Sequence, residues 1–142
     1  MAFTVLIVDD SSSMRAVIKK TIKVSGFNVG RFLTAEDGRD AMKVLSAEWV
    51  DLVLTDINMP NMNGMELIQK MKEDEILKTI PVVIVTTEGS EKVKKQSMDL
   101  GANALIKKPF RPEDIRNALN RIMGEKEDGQ KDYSRELEGS DF

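Results

Sequence analysis

The two residue types with the most versatile side-chain chemistry are missing: the chain has no cysteine and no histidine. Without thiols there are no disulfides, zinc–thiolate centres or cysteine nucleophiles. Without imidazole there are no His-dependent triads, histidine metal ligands or phosphohistidine on this chain, so any general base must be a carboxylate, a lysine or water. Aromatics are scarce, with a single tryptophan and a single tyrosine. A dense basic face is lacking as well. Acids and bases are interleaved and the net charge is −3, which argues against direct binding to a nucleic-acid backbone. No apolar run approaches the roughly 20 residues of a membrane-spanning helix. Met1-Ala2-Phe3-Thr4 leads into an apolar strand with no basic leader and no cleavage site. No membrane insertion is expected, and the cytoplasm is the expected compartment.

What is present suits one globular core: 142 residues, of which 41% are hydrophobic. Residues 4–8, 51–55, 81–85 and 103–107 are short runs of Val, Ile and Leu that read as strands buried on both faces. Residues 28–34 form a weaker run, interrupted by Gly30 and Arg31, that suits a sheet edge. Helical periodicity fills the intervals. The stripes are Met14, Val17, Ile18 and Thr21; Ala41, Val44 and Leu45; Met65, Ile68 and Met71; Val93, Gln96, Ser97 and Leu100; and Ile115, Ala118, Leu119 and Ile122. Serines precede the first helix, Gly26 and Gly101 stop two helices, and Pro112 with Glu113 and Asp114 opens the last. Five βα repeats of this spacing predict an α/β fold: a doubly wound, five-stranded parallel sheet with helices on both faces. The flavodoxin-like order 2-1-3-4-5 is the simplest arrangement. The domain is expected over residues 1–123. Residues 124–142, with seven acids, three bases and almost nothing apolar, read as a disordered acidic tail.

Ligands of an open parallel sheet bind beyond the carboxyl ends of its strands. The first strand is followed by Asp9 and Asp10, the third by Asp56, the fourth by Thr86 and Thr87, and the fifth by Lys107, Lys108 and Pro109. Three carboxylates, a hydroxyl and an ammonium therefore converge on one edge. Acids held together repel unless a cation sits among them. A hard divalent ion such as Mg²⁺ takes one or two carboxylates, a backbone carbonyl and waters, and would stabilise the fold by about 1.4 kcal/mol at ten times its dissociation constant. A remaining carboxylate can act as a nucleophile, because aspartyl phosphate is an established covalent intermediate. Metal, lysine and hydroxyl together neutralise a phosphoryl group in transfer.

Val-Asp-Asp-Ser at 8–11, Leu-Thr-Asp-Ile-Asn-Met-Pro at 54–60 with Gly64, Val-Thr at 85–86 and Lys-Lys-Pro-Phe at 107–110 resemble the signature of response-regulator receiver domains, over about residues 4–123. The resemblance implies a two-component signalling protein rather than an enzyme in the ordinary sense, with only self-catalysed phosphoryl transfer and autodephosphorylation. It makes Asp56 the phosphoacceptor, with Asp10 and the Asn58 backbone carbonyl joining it as Mg²⁺ ligands and Asp9 acting through metal-bound water. Thr86 and Lys108 would contact the phosphoryl oxygens, whereas Lys107 is expected to face solvent. Asn58 and Glu88 match the chemotaxis-type (CheY-like) members, where these positions influence how fast the phosphoryl group hydrolyses. The implied partners are a histidine kinase and a separate effector protein. The effector would be met on the face of helix 4, strand 5 and helix 5, here Lys94, Lys95, Asn103, Leu105 and Lys107. A phosphorelay intermediate, passing its phosphate to a second histidine phosphotransfer protein, is the alternative. One departure stands out: the family often has Tyr or Phe where this chain has Leu105, so the usual pairing of Thr86 with a swinging aromatic is not expected.

Three other readings fit less well. A flavodoxin-type electron carrier shares the topology but needs a phosphate loop after the first strand and aromatics to sandwich its flavin. A haloacid-dehalogenase-type phosphatase carries its nucleophile after the first strand. A pseudo-receiver would lack acceptor-site residue types that are all present here.

Overall fold

The structure, a computed structural model, describes residues 2–124, so the acidic segment 125–142 lies outside the described residues. The elements alternate as β1 (Phe3–Val8), α1 (Ser12–Ser25), β2 (Val29–Ala35), α2 (Gly38–Ala47), β3 (Leu52–Thr55), α3 (Gly64–Lys72), β4 (Val82–Thr86), α4 (Glu91–Leu100), β5 (Ala104–Lys107) and α5 (Pro112–Leu119). A single 3-10 turn, Leu77–Thr79, precedes β4, and a wider π-type turn, Asn120–Gly124, follows α5. All strand pairs are parallel, in the order β2-β1-β3-β4-β5. The expected order and all five strands are found, each strand end within one residue.

The apolar strands are continuous because both sheet faces are covered, and successive side chains alternate between two cores. Val5, Ile7, Leu54, Val83 and Val85 pack with Ile18, Ile22, Ile115 and Leu119 on the α1/α5 side. Leu6, Val8, Val53, Val82 and Ile84 pack with Ala41, Leu45, Leu67, Ile68 and Met71 on the other. β2 lies at an edge, with Gly30 and Arg31 exposed.

Two helix stripes need correction. In α1 the buried positions are Ile18, Ile22 and Ser25, while Val17 is 48% exposed. The helix packs on the sheet along an i, i+4 row through Met14, Ile18 and Ile22, and Val17 lies one residue outside it. In α4 only Ser97 is buried, Val93 and Leu100 are half-buried, and Gln96 is exposed. This helix has a narrow apolar stripe and leans on its neighbours lightly.

Helix starts follow local chemistry. The Ser11 hydroxyl accepts the Met14 N–H at 3.1 Å, the Ser90 hydroxyl accepts that of Val93 at 3.2 Å, and Asn63 and Glu66 exchange two 2.9 Å bonds as a capping box. Each such cap contributes about 1 kcal/mol. Gly26 and Gly101 end α1 and α4 with φ of 86° and 116°, as helix-terminal glycines do.

Candidate functional site

The sheet ladder itself carries the acids to one edge. The Asp9 N–H donates to the Ala35 carbonyl and the Asp56 N–H to the Val8 carbonyl, both at 3.1 Å, which extends β1 and β3 by one residue each. At the same edge the Lys108 N–H donates to the Thr86 carbonyl at 2.8 Å. Three strand ends are thus held in register before any side chain is considered.

The side chains then meet. The Lys108 ammonium lies 3.2 Å from Asp9 Oδ2 and 3.2 Å from Asp56 Oδ2. These side chains are 10%, 3% and 15% exposed respectively, so the group is largely dry. Each carboxylate is anchored in the same manner. Asp9 Oδ1 accepts the Ser11 N–H at 2.9 Å, and Asp56 Oδ1 accepts the Ile57 N–H at 2.6 Å. One oxygen of each acid is pinned by its own backbone, and the other faces the shared cation. Charge-assisted bonds in so dry a setting hold their geometry more firmly than neutral ones.

The expected crowd of three carboxylates is not what forms. Asp10 is exposed, and among the described residues no three acids gather closely enough to hold a metal. Lys108 balances Asp9 and Asp56, while Asp10 lies exposed. The donor chemistry nevertheless suits Mg²⁺. Asp9, Asp10 and Asp56 all offer oxygen, and no backbone hydrogen bond among the described residues takes the exposed Asn58 carbonyl. A positive charge is already drawn to the point between Asp9 and Asp56.

The remaining expected residues surround this pair. Thr86 is fully buried at the end of β4, and its hydroxyl oxygen accepts the Glu88 N–H at 3.1 Å, which leaves the hydroxyl proton available to donate. Asn58 and Glu88 are exposed on the loops after β3 and β4. Leu105 is half-buried and packs on the core beside α3 and α4. Lys107 faces outward as expected, its aliphatic stem lying over Gly89.

Two supports, Arg15 and Asp37, were not evident from the sequence. The Arg15 guanidinium, from the first turn of α1, donates to the Asp9 carbonyl at 2.6 Å. Asp37, 9% exposed, accepts the Asp40 N–H at 2.8 Å as the cap of α2 and the Asn61 amide at 2.7 Å. Those bonds, Asn61's first, hold its carboxyl below the usual 3.8. They also tie α2 to the loop that follows Asp56, as does the 2.9 Å bond from the Gly38 N–H to the Met62 carbonyl. Gly64 opens α3 directly over the Asp56 backbone, and a Cβ there would collide with the Asp56 carbonyl oxygen. A hydrogen-bonding side chain immediately before a helix is a readable signal; an arginine reaching back to a carbonyl is not.

Comparison with known proteins agrees with this edge. The model of the response regulator receiver domain matches residues 5–120. The chain is 38% identical over 120 residues to the chemotaxis protein CheY1 of Helicobacter pylori, covering 84% of this chain and 95% of that protein. The structure of the chemotaxis response regulator CheY4 of Vibrio cholerae matches with a TM-score of 0.76 at 33% identity, over 86% of this chain and 99% of that one. The receiver domain of a sensor histidine kinase from Pseudomonas aeruginosa, solved with magnesium coordinated in its active-site cleft, shares the fold with a TM-score of 0.76 at 21% identity, over 87% and 99% of the two chains. With paired strand-end acids, a buried threonine and a bridging lysine on the same edge, and with this match over nearly all described residues, the chain belongs to the response regulator receiver domains of two-component signalling.

Proposed function

We propose that this receiver is switched by phosphorylation of Asp56 and acts in chemotaxis or motility. A partner histidine kinase presents a phosphoimidazole. Its nitrogen–phosphorus bond breaks as a bond forms between phosphorus and a carboxylate oxygen of Asp56, and the departing imidazole nitrogen keeps its electron pair. The observation that carries the reading is the ammonium of Lys108 shared between Asp9 and Asp56, 3.2 Å from each. It supplies a cation that can follow the negative charge from carboxylate to phosphoryl oxygen.

Asp10, Asp56 and the Asn58 carbonyl would hold Mg²⁺, with Asp9 engaged through water. When bound, the ion supplies charge neutralisation for the phosphoryl oxygens and a template for in-line approach. Asp9 keeps Lys108 at the site throughout, and the free hydroxyl proton of Thr86 donates to a phosphoryl oxygen. Asn58 and Glu88, exposed at the mouth, govern how readily water reaches the acyl phosphate, which suits a short-lived signal. The chemotaxis assignment is supported by the relatives in Helicobacter and Vibrio.

With leucine at position 105, readout passes through movement of the loop 87–90 and repacking around Leu105 and Ile106. Leu105 and Ile106 lie in β5 and the loop meets it where Gly89 lies against the Lys107 stem, so the effector meets a changed α4–β5–α5 face. Incubation with a small acyl-phosphate donor and Mg²⁺, followed by intact-mass measurement, tests the reading. One added phosphoryl group that depends on the metal supports it, and equal labelling of Asp56→Asn overturns it.

A further inference from the structure

Between α4, β5 and α5 runs an open groove of about 550 Å³. Lys94, Lys107 and Arg121 line it, and none of the three is ion-paired among the described residues. The acid on its wall, Asp114, is already approached by the Arg111 guanidinium at 3.6 Å and accepts the Arg111 N–H at 2.9 Å. Apolar surface lies between the charges: Met98 is 40% exposed and Leu105 half-buried. The groove is therefore cationic with an apolar floor, and it selects an acidic segment carrying a few large hydrophobic side chains.

Such a segment exists in this chain. Residues 125–142 carry seven acids against three bases, with Tyr133, Leu137 and Phe142 spaced among them. They follow directly on Gly124, three positions beyond Arg121 on the groove wall. We propose that residues 125–142 dock in cis into the α4–β5–α5 groove, setting their acids against Lys94, Lys107 and Arg121 and their apolar side chains against Met98 and Leu105.

Reach is ample, because this stretch spans at most about 60 Å when extended, while the four residues of β5 cover about 13 Å. Tethering holds the acids at an effective concentration on the order of millimolar, so weak individual contacts are enough for occupancy. The smaller hollow beside Lys72 and Lys78 is a poorer match, since Lys78 is already paired with Glu75 at 2.9 Å. The consequence for signalling rests on the function proposed above: the segment occupies the face assigned to the effector and competes with it. Docking itself does not depend on that reading.

The absence of cysteine makes the test direct. Ser134→Cys in the full chain provides a single attachment point for a nitroxide, and paramagnetic broadening of backbone amide signals then maps where the segment lies. At low ionic strength, Met98, Leu105 and Asn117 and their neighbours should lose most of their intensity. That intensity should return at high salt, where the screening length falls to a few ångströms, and in the Lys94→Glu/Lys107→Glu/Arg121→Glu variant. Broadening that is absent, that centres on Lys72 and Lys78, or that disappears on dilution and so reports a second copy, overturns the proposal. The salt comparison decides the matter even if the triple variant does not fold. No phosphodonor is used, so failure here leaves the role of Asp56 standing, and failure to label Asp56 leaves the docking standing.

Discussion

Replacing Lys108 with methionine removes the cation that Asp9 and Asp56 share while keeping the length of the side chain. Both Oδ2 atoms lie 3.2 Å from the ammonium nitrogen, so they are no more than about 6.4 Å apart. At an effective dielectric constant of about 20, each lysine–aspartate attraction is worth about 5 kcal/mol, and the repulsion between the acids at that greatest separation is about 3 kcal/mol. The substitution deletes both attractions and leaves the repulsion unopposed. It also relieves the lysine of its own desolvation, which costs several kcal/mol. Breaking a buried pair from one side typically costs 3–5 kcal/mol, and the residual exposure of Asp56 favours the lower end, so the expected loss is about 3 kcal/mol. In urea denaturation at low ionic strength without divalent ions, the midpoint should fall by about 1–3 M for a slope of about 1–3 kcal/mol per M. Added Mg²⁺ should recover more stability in the variant than in the native protein, because it meets two acids with no other cation. A variant within about 0.5 kcal/mol of the native protein, the range of an ordinary surface substitution, would refute the shared-cation geometry.

Further predictions follow from the same edge. Asp56→Asn loses one attraction of about 5 kcal/mol but sheds a repulsion of about 3 kcal/mol and several kcal/mol of desolvation; without metal it should melt slightly higher than the native protein, and its gain from Mg²⁺ should shrink, both read by calorimetry. Gly64→Ala places a Cβ against the Asp56 carbonyl, so a loss of about 1–3 kcal/mol and slower phosphoryl labelling are expected together, measured by denaturation and intact mass. Asp37→Ala removes the cap of α2 and should cost about 1–2 kcal/mol, whereas Asp37→Asn should keep most of that. Because the Asp37 carboxyl is held below 3.8 in the folded state, its charge contributes stability above that pH and loses it as the pH falls through the lowered value. The Asn variant should therefore lose less stability than the native protein between pH 4 and pH 2, a difference that acid titration of unfolding would detect.

Strand positions were legible because residues such as Val5 and Leu6, or Val83 and Ile84, are buried on opposite faces of the same sheet, and no other element demands so short and unbroken an apolar run. The site was legible for a related reason: a parallel sheet collects whatever follows its strands, so Asp9, Asp56, Thr86 and Lys108 could be brought together from their order alone. What could not be read was how the charges partition. Sequence order puts Asp9 and Asp10 on equal terms, but β1 turns Asp9 inward to Lys108 and leaves Asp10 in water. Nor does helical periodicity separate Val17 from Ile18, since a rotation of one residue decides which of them meets the sheet. The contacts of Arg15 with the Asp9 carbonyl and of Asp37 with Asn61 depend on loops whose paths are set by tertiary packing, and local sequence carries little of that information.

The central claim is that Asp56 is the phosphorylated residue, and locating the modification tests it most directly. The protein is incubated with a small acyl-phosphate donor and Mg²⁺, the acyl phosphate is trapped by borohydride reduction, and the modified peptide is sequenced by mass spectrometry. Reduction of the side chain at position 56, absent when Mg²⁺ is omitted, is the predicted result. Reduction at any other acid, or an equal adduct in Asp56→Asn, would contradict it.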